Sequence, residues 1–391
     1  MDDSRGRQRL LEVYMEGLAD ITPSIPPRFE ELERAALDAM TEEAHAYVAG
    51  SAGSENTARR NTTAFERWHL VPRMLRDVAE RDLSTDLLES ELDAPALLAP
   101  IGVQSIIHEE AELAVARAAN DVGMPFVLST VSSYTMEEVA AEAPDVPKWF
   151  QLYWSPVREL AQSFVSRAED AGFEALVVTV DTPLVGWRER DIEHAYLPFL
   201  DGEGIANYVS DDVFLDRLDA PPEENQLATV KEFLDVFGDA SLTWDDLEWL
   251  TDQTELPVVV KGILHPDDAR AAFEHGAEAV VVSNHGGRQV DGSIAAIDAL
   301  PRVRDAVGDD ATLLFDSGIR RGAQAIKALA LGADSVLLGR PYAYGLALEG
   351  QEGVAEVCKN FLADFDITLG LTGHKSPDEL SREALVEDSE L

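Results

Sequence analysis

The sequence predicts an α/β protein folded as a (β/α)8 TIM barrel, because eight apolar strand-like runs alternate with helix-like segments from Ala96 onward. The runs are nearly continuous in valine, isoleucine and leucine, which is typical of parallel strands buried on both faces. Several intervening segments end in glycine, as helix C-termini often do. A doubly wound open sheet is the alternative, and it fits less well because no GxGxxG follows the first strand.

The strand predictions follow the chain in order. The predicted strands are ALLAP (96–100), PFVLST (125–130), KWFQLY (148–153), ALVVTVD (175–181), PVVVKG (257–262), AVVVSNHG (279–286), ATLLFDSG (311–318) and SVLLGR (335–340). Between them lie segments with helical periodicity, such as EEAELAVARAANDVG and RRGAQAIKALALG. Each strand with its following helix forms one unit of the predicted barrel.

The alternation of strands and helices breaks once, after the fourth strand. A predicted helix at 243–254 precedes the fifth strand, which leaves an insertion over about 184–242. An insertion after a barrel strand lies over the C-terminal face, where barrel active sites are built. We therefore expect a lid or an assembly segment, with a surface embellishment as the alternative. Residues 1–95 are expected to be a helical segment that packs on a barrel domain spanning 96–391.

The charge of the chain excludes some classes of partner. The formal net charge is −43, and only six of the 31 basic residues are lysines. Such a chain is not expected to bind nucleic acid or an anionic membrane surface. Many acids beside a normal hydrophobic fraction indicate adaptation to high salt, where self-repulsion is screened. The acids are interspersed among recurrent apolar runs, which argues against a disordered acidic chain.

Cysteine usage and the N-terminus bear on the compartment. Cys358 is the single cysteine, so no internal disulfide is possible and a reducing compartment fits. We expect Cys358 to be a packing residue. No apolar stretch follows the N-terminal arginines as a signal peptide would require, and no run approaches membrane-spanning length. These features predict a cytoplasmic protein without membrane insertion.

Chemistry-bearing residues collect at the C-terminal ends of the predicted strands. In SNHGGRQ (283–289), His285 could act as a general base, and Arg288 could grip a carboxylate. Asp181, which ends the fourth strand, could hold and polarise His285, although a loop cap is the simpler role. Lys261 could neutralise an anion in the barrel mouth or form a structural salt bridge. Polar residues at nearly every strand end together indicate an active site.

The last two strands indicate a phosphate site. LFDSGIRRG (314–322) and LLGRPYAYG (337–345) combine glycine-rich turns, helix starts and arginines at the position of the usual barrel phosphate site. A phosphate-bearing cofactor and a phosphorylated substrate both fit this pattern. The eight histidines show no metal-ligand spacing, and no GxSxG nucleophile motif occurs.

The segment SNHGGRQ resembles the active-site signature of the FMN-dependent α-hydroxy-acid oxidising enzymes, the family of glycolate oxidase, lactate oxidase and lactate 2-monooxygenase. The resemblance runs from about Tyr47 to the last barrel strand. The supporting segments are AYVAGSAGSENTARRNTTAF, LLAPIGVQS, FQLYW, VTVDTPLVGWRERD, VVVKGI, DSGIRRG and LLGR. It implies non-covalently bound FMN, which carries the redox chemistry.

The resemblance also implies a role for each matching residue. The catalytic residues would be His285 as the base and Asp181 as its partner. The substrate-binding residues would be Tyr47, Tyr153, Arg188 and Arg288. The flavin-contacting residues would be Pro100, Gly102, Ser129, Gln151, Thr179 and Lys261. The ribityl and phosphate contacts would be Asp316, Gly318, Arg320, Gly339 and Arg340.

Within the family, LSTVSSYT, GWRERD and the long segment AYLPFLDGEGIANYVSD are most similar to the lactate 2-monooxygenase branch. This implies L-lactate and O2 as substrates, a lid that retains pyruvate, and a homo-tetramer or octamer. An L-lactate oxidase or a quinone-linked dehydrogenase stays open. The chain departs from the family at Ser51 and Ser317, which replace common glycines, and at Val131, where glycolate oxidases carry a bulky aromatic residue.

Overall fold

A computed structural model describes residues 4–391, and a closed barrel of eight strands forms its centre. The strands are β1 Trp68–Leu70, β2 Thr85–Leu87, β3 Ser90–Leu92, β4 Ala96–Leu98, β5 Phe126–Ser129, β6 Lys148–Tyr153, β7 Ala175–Thr179, β8 Val258–Ile263, β9 Ala279–Val282, β10 Thr312–Phe315, β11 Ser335–Leu338 and β12 Leu385–Glu387. Strands β4 to β11 pair in parallel in chain order, and β11 closes on β4. The predicted (β/α)8 barrel is confirmed, and the open-sheet alternative is wrong.

Helices surround the barrel and precede it. The helices before the barrel are α1 Arg5–Gly17, α2 Phe29–Ala39, α3 Glu42–Ala49 and α4 Asn56–Thr63. Those from β4 to the insertion are α5 Ala111–Val122, α6 Met136–Ala141, α7 Arg158–Asp170, α8 Glu189–Glu193, α9 Ala206–Val209, α10 Asp212–Leu215 and α11 Gln226–Val236. The remaining ones are α12 Trp244–Thr251, α13 Pro266–Glu274, α14 Ala296–Val307, α15 Gly322–Ala330 and α16 Arg340–Thr372, which is broken at Glu349 and Gly350.

The continuous apolar strands are explained by burial on both faces. In β7, all five residues are buried, and alternate side chains point to different cores. Val177 belongs to the cluster inside the barrel, whereas Leu176 and Val178 belong to the cluster between barrel and helices. Because each face of the strand is covered, no polar alternation is needed along it.

A β-hairpin made by β2 and β3 closes the N-terminal end of the barrel. Leu87 and Leu92 are each 1% exposed and join the cluster inside the barrel, next to Trp149 and Ala175 at the starts of their strands. Only helices are predicted before Ala96, and this hairpin and β1 correct that prediction. Their strands are three residues long and half polar, too short for a period to be recognised.

The insertion after the fourth barrel strand packs on the barrel. Asn207 is fully buried, and its Nδ2 donates to Thr130 O at 2.9 Å while its Oδ1 accepts from Met136 N at 2.8 Å. The ring of Phe237 meets Tyr153 edge-on, with centroids 5.3 Å apart. The insertion is therefore anchored to the loop after β5 and to the end of β6.

The structure also bears on Cys358 and on membrane association. Cys358 is fully buried and unpaired in α16, and it packs as the sequence analysis expected. Among residues 4–391, no helix combines the length and the apolar character that crossing a bilayer requires.

Candidate active site

A cavity of about 910 Å³, open to solvent, lies at the C-terminal end of the barrel. The predicted site residues that line it are Tyr47, Pro100, Gly102, Tyr153, Arg188, Lys261, His285, Arg288, Asp316, Gly318, Arg320, Gly339 and Arg340. The strand ends and the N-terminal segment thus bring distant parts of the sequence to one place.

His285 and Asp181 form a partly buried hydrogen-bonded pair in this site. His285 Nδ1 lies 2.9 Å from Asp181 Oδ1. Burial lowers the pKa of His285 below its usual value, against the opposing charge of Asp181. Burial alone would raise the pKa of Asp181, but the charge and hydrogen bond of His285, with the charge of Lys261, lower it on balance. With Nδ1 donating to the ionised carboxylate, Nε2 carries the lone pair of a neutral base.

The loop that carries His285 has an unusual backbone. His285, Gly286 and Gly287 have φ values of 57°, 65° and 80°, in the left-handed region. Left-handed conformation is costly for a residue with a Cβ, so contacts from the surroundings must hold His285 in place. Asn284 supplies one of these contacts, because its Oδ1 accepts from Gly287 N at 3.1 Å.

The two serines that replace family glycines both reach the peptide groups beside His285. Ser317 Oγ accepts from Asn284 N at 3.2 Å and from Gly286 N at 3.0 Å, and donates to Asp316 Oδ1 at 2.7 Å. Ser51 Oγ donates to Gly286 O at 3.5 Å. Ser317 itself has a φ of 76°. Both serines depart from the family pattern in sequence, and in the fold they support the loop of His285.

Two arginines meet in the cavity without a carboxylate between them. Arg188 Nε donates to Arg288 O at 3.4 Å, and the Arg288 guanidinium lies 5.0 Å from the centre of the Tyr47 ring. Arg288 Nη1 donates to Gly50 O at 2.8 Å and to Tyr47 O. Burial and the charge of Arg188 lower the pKa of Arg288 to about 9. Asp191 lies nearby, with its Oδ2 4.0 Å from Arg188 Nη1, and a substrate carboxylate would bring a second negative charge to the two guanidinium groups.

Lys261 and Asp316 form an ion pair deep in the cavity. Lys261 is 4% exposed, and its Nζ lies 3.3 Å from Asp316 Oδ2 and 3.2 Å from Ser283 Oγ. Burial would lower the pKa of Lys261, but the charges of Asp316 and Asp181 raise it on balance. Lys261 can therefore form a structural salt bridge and also neutralise an anion in the cavity, because its paired ammonium group lines the cavity.

Four predicted site residues do not line the cavity, namely Asp181, Ser129, Gln151 and Thr179. Asp181 lies behind His285, where a polarising carboxylate belongs. Ser129 Oγ donates to Gln151 Oε1 at 2.9 Å, and Gln151 Nε2 is buried without a hydrogen-bond partner among the described residues. A buried donor of this kind indicates an acceptor that a ligand provides.

The residues present fit FMN. Arg320 Nε is likewise buried and unpartnered, and burial with the charge of Arg340 lowers the pKa of Arg320 to about 10. A Cβ on Gly318 would lie 2.2 Å from Asn61 O, so the close approach to α4 requires glycine at this position. Helix α16 begins at Arg340, beside Gly339. Arginines and a helix start suit a phosphate, and the unpartnered Gln151 amide suits a flavin carbonyl.

The cavity is also lined by apolar residues for which the sequence predicted no role, namely Val48, Ile101, Ile319 and Leu337. Ile101 and Leu337 lie at or near strand ends, but apolar residues at such positions are not distinctive. Outside the cavity, Asp245, Glu248 and His275 lie close enough to share an ion, at the protein surface. Exposed acidic groups commonly cluster in this way without a metal.

The chain is similar over most of its length to a described family and to known proteins. Residues 36–387 match the family described as FMN-dependent dehydrogenase. An L-lactate oxidase of Lysinibacillus sphaericus is 44% identical over 363 residues, covering 93% of this chain and 93% of the relative. An FMN-dependent alpha-hydroxy acid dehydrogenase of Penicillium citrinum is 41% identical over 366 residues, covering 93% of this chain and 91% of the relative. A crystal structure of mandelate oxidase superposes with a TM-score of 0.81 at 38% identity, covering 92% of this chain and 98% of that chain.

The chain belongs to the FMN-dependent dehydrogenase family. It is an oxidoreductase that uses FMN to oxidise a 2-hydroxy acid. The family predicted from SNHGGRQ and the predicted cofactor are both confirmed.

Proposed function

We propose that this protein oxidises L-lactate, with FMN as its cofactor and O2 as the final oxidant. The observation that carries the proposal is the partly buried His285–Asp181 pair, of which His285 lines one cavity with Arg188 and Arg288. A base and two carboxylate-binding cations are the groups that a 2-hydroxy acid requires. The relatives named L-lactate oxidase support lactate within this class.

In the proposed reaction, Arg188 and Arg288 bind the substrate carboxylate, and Tyr47 and Tyr153 border the hydroxyl. His285 accepts a proton from the bound acid, and ionised Asp181 stabilises the resulting imidazolium. Burial of His285 keeps the imidazole neutral before the reaction, so the base is ready at neutral pH.

We propose that Pro100, Gly102, Ser129, Gln151 and Thr179 contact the flavin ring, with Lys261 at its edge. Asp316, Gly318, Arg320, Gly339 and Arg340 would hold the ribityl chain and the phosphate. Bound FMN supplies the two-electron acceptor for substrate oxidation. The unpartnered polar atoms of Gln151 and Arg320 support this division.

We propose lactate 2-monooxygenase as the subtype. In this reaction L-lactate and O2 give acetate, CO2 and H2O, because peroxide attacks pyruvate that has not left the site. The position of the insertion supports retention of pyruvate. Asn207 anchors the insertion to the loop after β5, and Phe237 packs against Tyr153 of the cavity. The second candidate is an L-lactate oxidase, which releases pyruvate and H2O2, and the 44% identical relative favours it.

A visible spectrum in concentrated KCl tests the function. The flavin band should bleach when L-lactate is added without oxygen, and D-lactate should leave it unchanged. A His285→Ala variant should bind FMN and reduce it about a thousandfold more slowly, as loss of a general base predicts. Equal bleaching by His285→Ala and wild type would contradict the role of His285. Acetate in air supports the monooxygenase, and equimolar pyruvate and peroxide support the oxidase.

We also propose that the protein works in a salt-rich cytoplasm and forms a homo-oligomer. Each chain would consist of an N-terminal segment (1–95) and a barrel domain (96–391). The net charge of −43 supports the salt adaptation, and the lone buried Cys358 supports a reducing compartment. Size-exclusion chromatography with light scattering across a KCl series tests both assembly and salt dependence.

A further inference from the structure

The segment Thr182–Arg188, which leads from the end of β7 into the insertion and is here called the strap, lies directly against the loop of His285. A Cβ built on Gly186 would lie 2.3 Å from Arg288 O and 2.9 Å from Gln289 Cα. Gly186 is absent from the residues with positive φ, so its conformation does not require glycine. The close approach of the two backbones is what requires it.

The Gln289 side chain closes this contact from the other side. Its Nε2 donates to Asp181 O and to Leu184 O, each at 2.8 Å. Its Oε1 accepts from Gly186 N at 3.3 Å and from Arg188 Nη2 at 3.2 Å. One amide therefore binds the strap at several points along its length, and one of those points is the guanidinium of Arg188.

The strap carries one arginine of the substrate site, and the His285 loop carries the other. Two partly buried guanidinium groups repel each other, and Arg188 is among the charges that disfavour the cationic form of Arg288. Within residues 4–391, the one ion pair of Arg188 is with Asp191, whose Oδ2 lies 4.0 Å from Arg188 Nη1. The arrangement thus needs contacts that oppose the repulsion before a substrate arrives.

We infer that Gly186 and Gln289 are positioning residues that hold Arg188 beside Arg288, so that one substrate carboxylate binds both guanidinium groups. This contact of strap and amide, here called the clasp, rests on the proposed function of the cavity. The clasp should act mainly on the carboxylate end of the substrate, because Gln289 bonds the guanidinium of Arg188 directly, whereas it bonds only the backbone carbonyl of Asp181. Loss of the clasp should weaken the binding of carboxylic acids and leave the binding of neutral analogues nearly unchanged.

The test compares Gln289→Leu with wild type, using Gln162→Leu as a control at an exposed glutamine. The Kd for oxalate is measured on the FMN-loaded enzyme from the shift of the flavin spectrum. KM and kcat are measured for L-lactate and for its methyl ester. Gln289→Leu should raise the oxalate Kd and the lactate KM about tenfold, as loss of one well-placed charged hydrogen bond predicts. The ester KM, the FMN content and Tm should change little.

A second variant examines the backbone contact independently. Gly186→Ala should raise the same two constants, whereas Gly17→Ala, which meets nothing within 4 Å, should change neither. The inference would be overturned if Gln289→Leu raised KM equally for L-lactate and for its methyl ester, or if it left the oxalate Kd unchanged. If wild type binds oxalate but L-lactate does not reduce its flavin, the proposed substrate fails while the oxalate comparison still decides the clasp.

Discussion

Replacing Ser317 by alanine should destabilise the protein by about 2 kcal/mol, because two buried N–H groups lose their acceptor at roughly 1 kcal/mol each. Those groups are Asn284 N and Gly286 N, on either side of His285. Ser317 is 7% exposed, so water does not readily take over both bonds. The alanine also keeps the left-handed backbone, whose φ is 76°, and therefore relieves no strain.

Replacing Ser317 by glycine removes the same hydroxyl but also removes the Cβ. Relief of the left-handed conformation returns about 1 kcal/mol, so Ser317→Gly should lose only about 1 kcal/mol. Glycine should thus be the more stable variant, although it is the less favourable residue in most folds. Comparing Ser317→Ala with Ser317→Gly separates the free-energy cost of the left-handed backbone from the stabilisation that the hydroxyl provides.

The assay is denaturant unfolding of both variants without substrate, together with anaerobic stopped-flow reduction by L-lactate. Both variants should reduce flavin several-fold more slowly, because the loop of His285 loses two of its supports. If Ser317→Ala is as stable as wild type, the hydroxyl does not support the loop. If Ser317→Gly is more stable than wild type and reduces at the full rate, the serine is only a strained replacement for glycine.

Three further predictions follow from the site and its surroundings. Burial lowers the pKa of His285, so the neutral base persists as the pH falls. In stopped-flow experiments between about pH 5 and pH 8, the rate of flavin reduction by L-lactate should decline only below the usual imidazole pKa of about 6.5. A midpoint of this decline above about pH 6.5 would contradict the prediction. Burial raises the pKa of Glu112 to about 7 from an ordinary value of 4.5, so stability should fall by about 3 kcal/mol as the pH rises through that range. Glu112→Gln should flatten this dependence in unfolding curves, and an unchanged slope would assign it to other groups. A Cβ on Gly102 would lie 2.5 Å from Val131 Cγ2 and 2.6 Å from Val131 O, so Gly102→Ala should cost about 1–3 kcal/mol, which Val131→Ala should partly restore in the double variant.

The barrel was predictable because its determinants are local. Each strand is recognisable in the sequence as a continuous apolar run. Such a run is possible because both faces of the strand are buried, as in β7. The hairpin of β2 and β3 was not predictable, because Leu87 and Leu92 matter only once the barrel provides a cluster to fill. The outline of the insertion was visible as a break in the alternation, whereas its anchoring through Asn207 depends on the loop after β5.

The sequence by itself determined the residue types at the strand ends and the family, because parallel strands must bring their C-terminal ends to one face. It could propose that Asp181 polarises His285, but only the fold brings these residues, 104 positions apart, to 2.9 Å. The support of Gly286 by Ser317 and the contact of Gln289 with Arg188 were decided by tertiary structure alone. Such contacts depend on loop conformation and on the distance between strand ends, which side-chain periodicity along one segment does not encode.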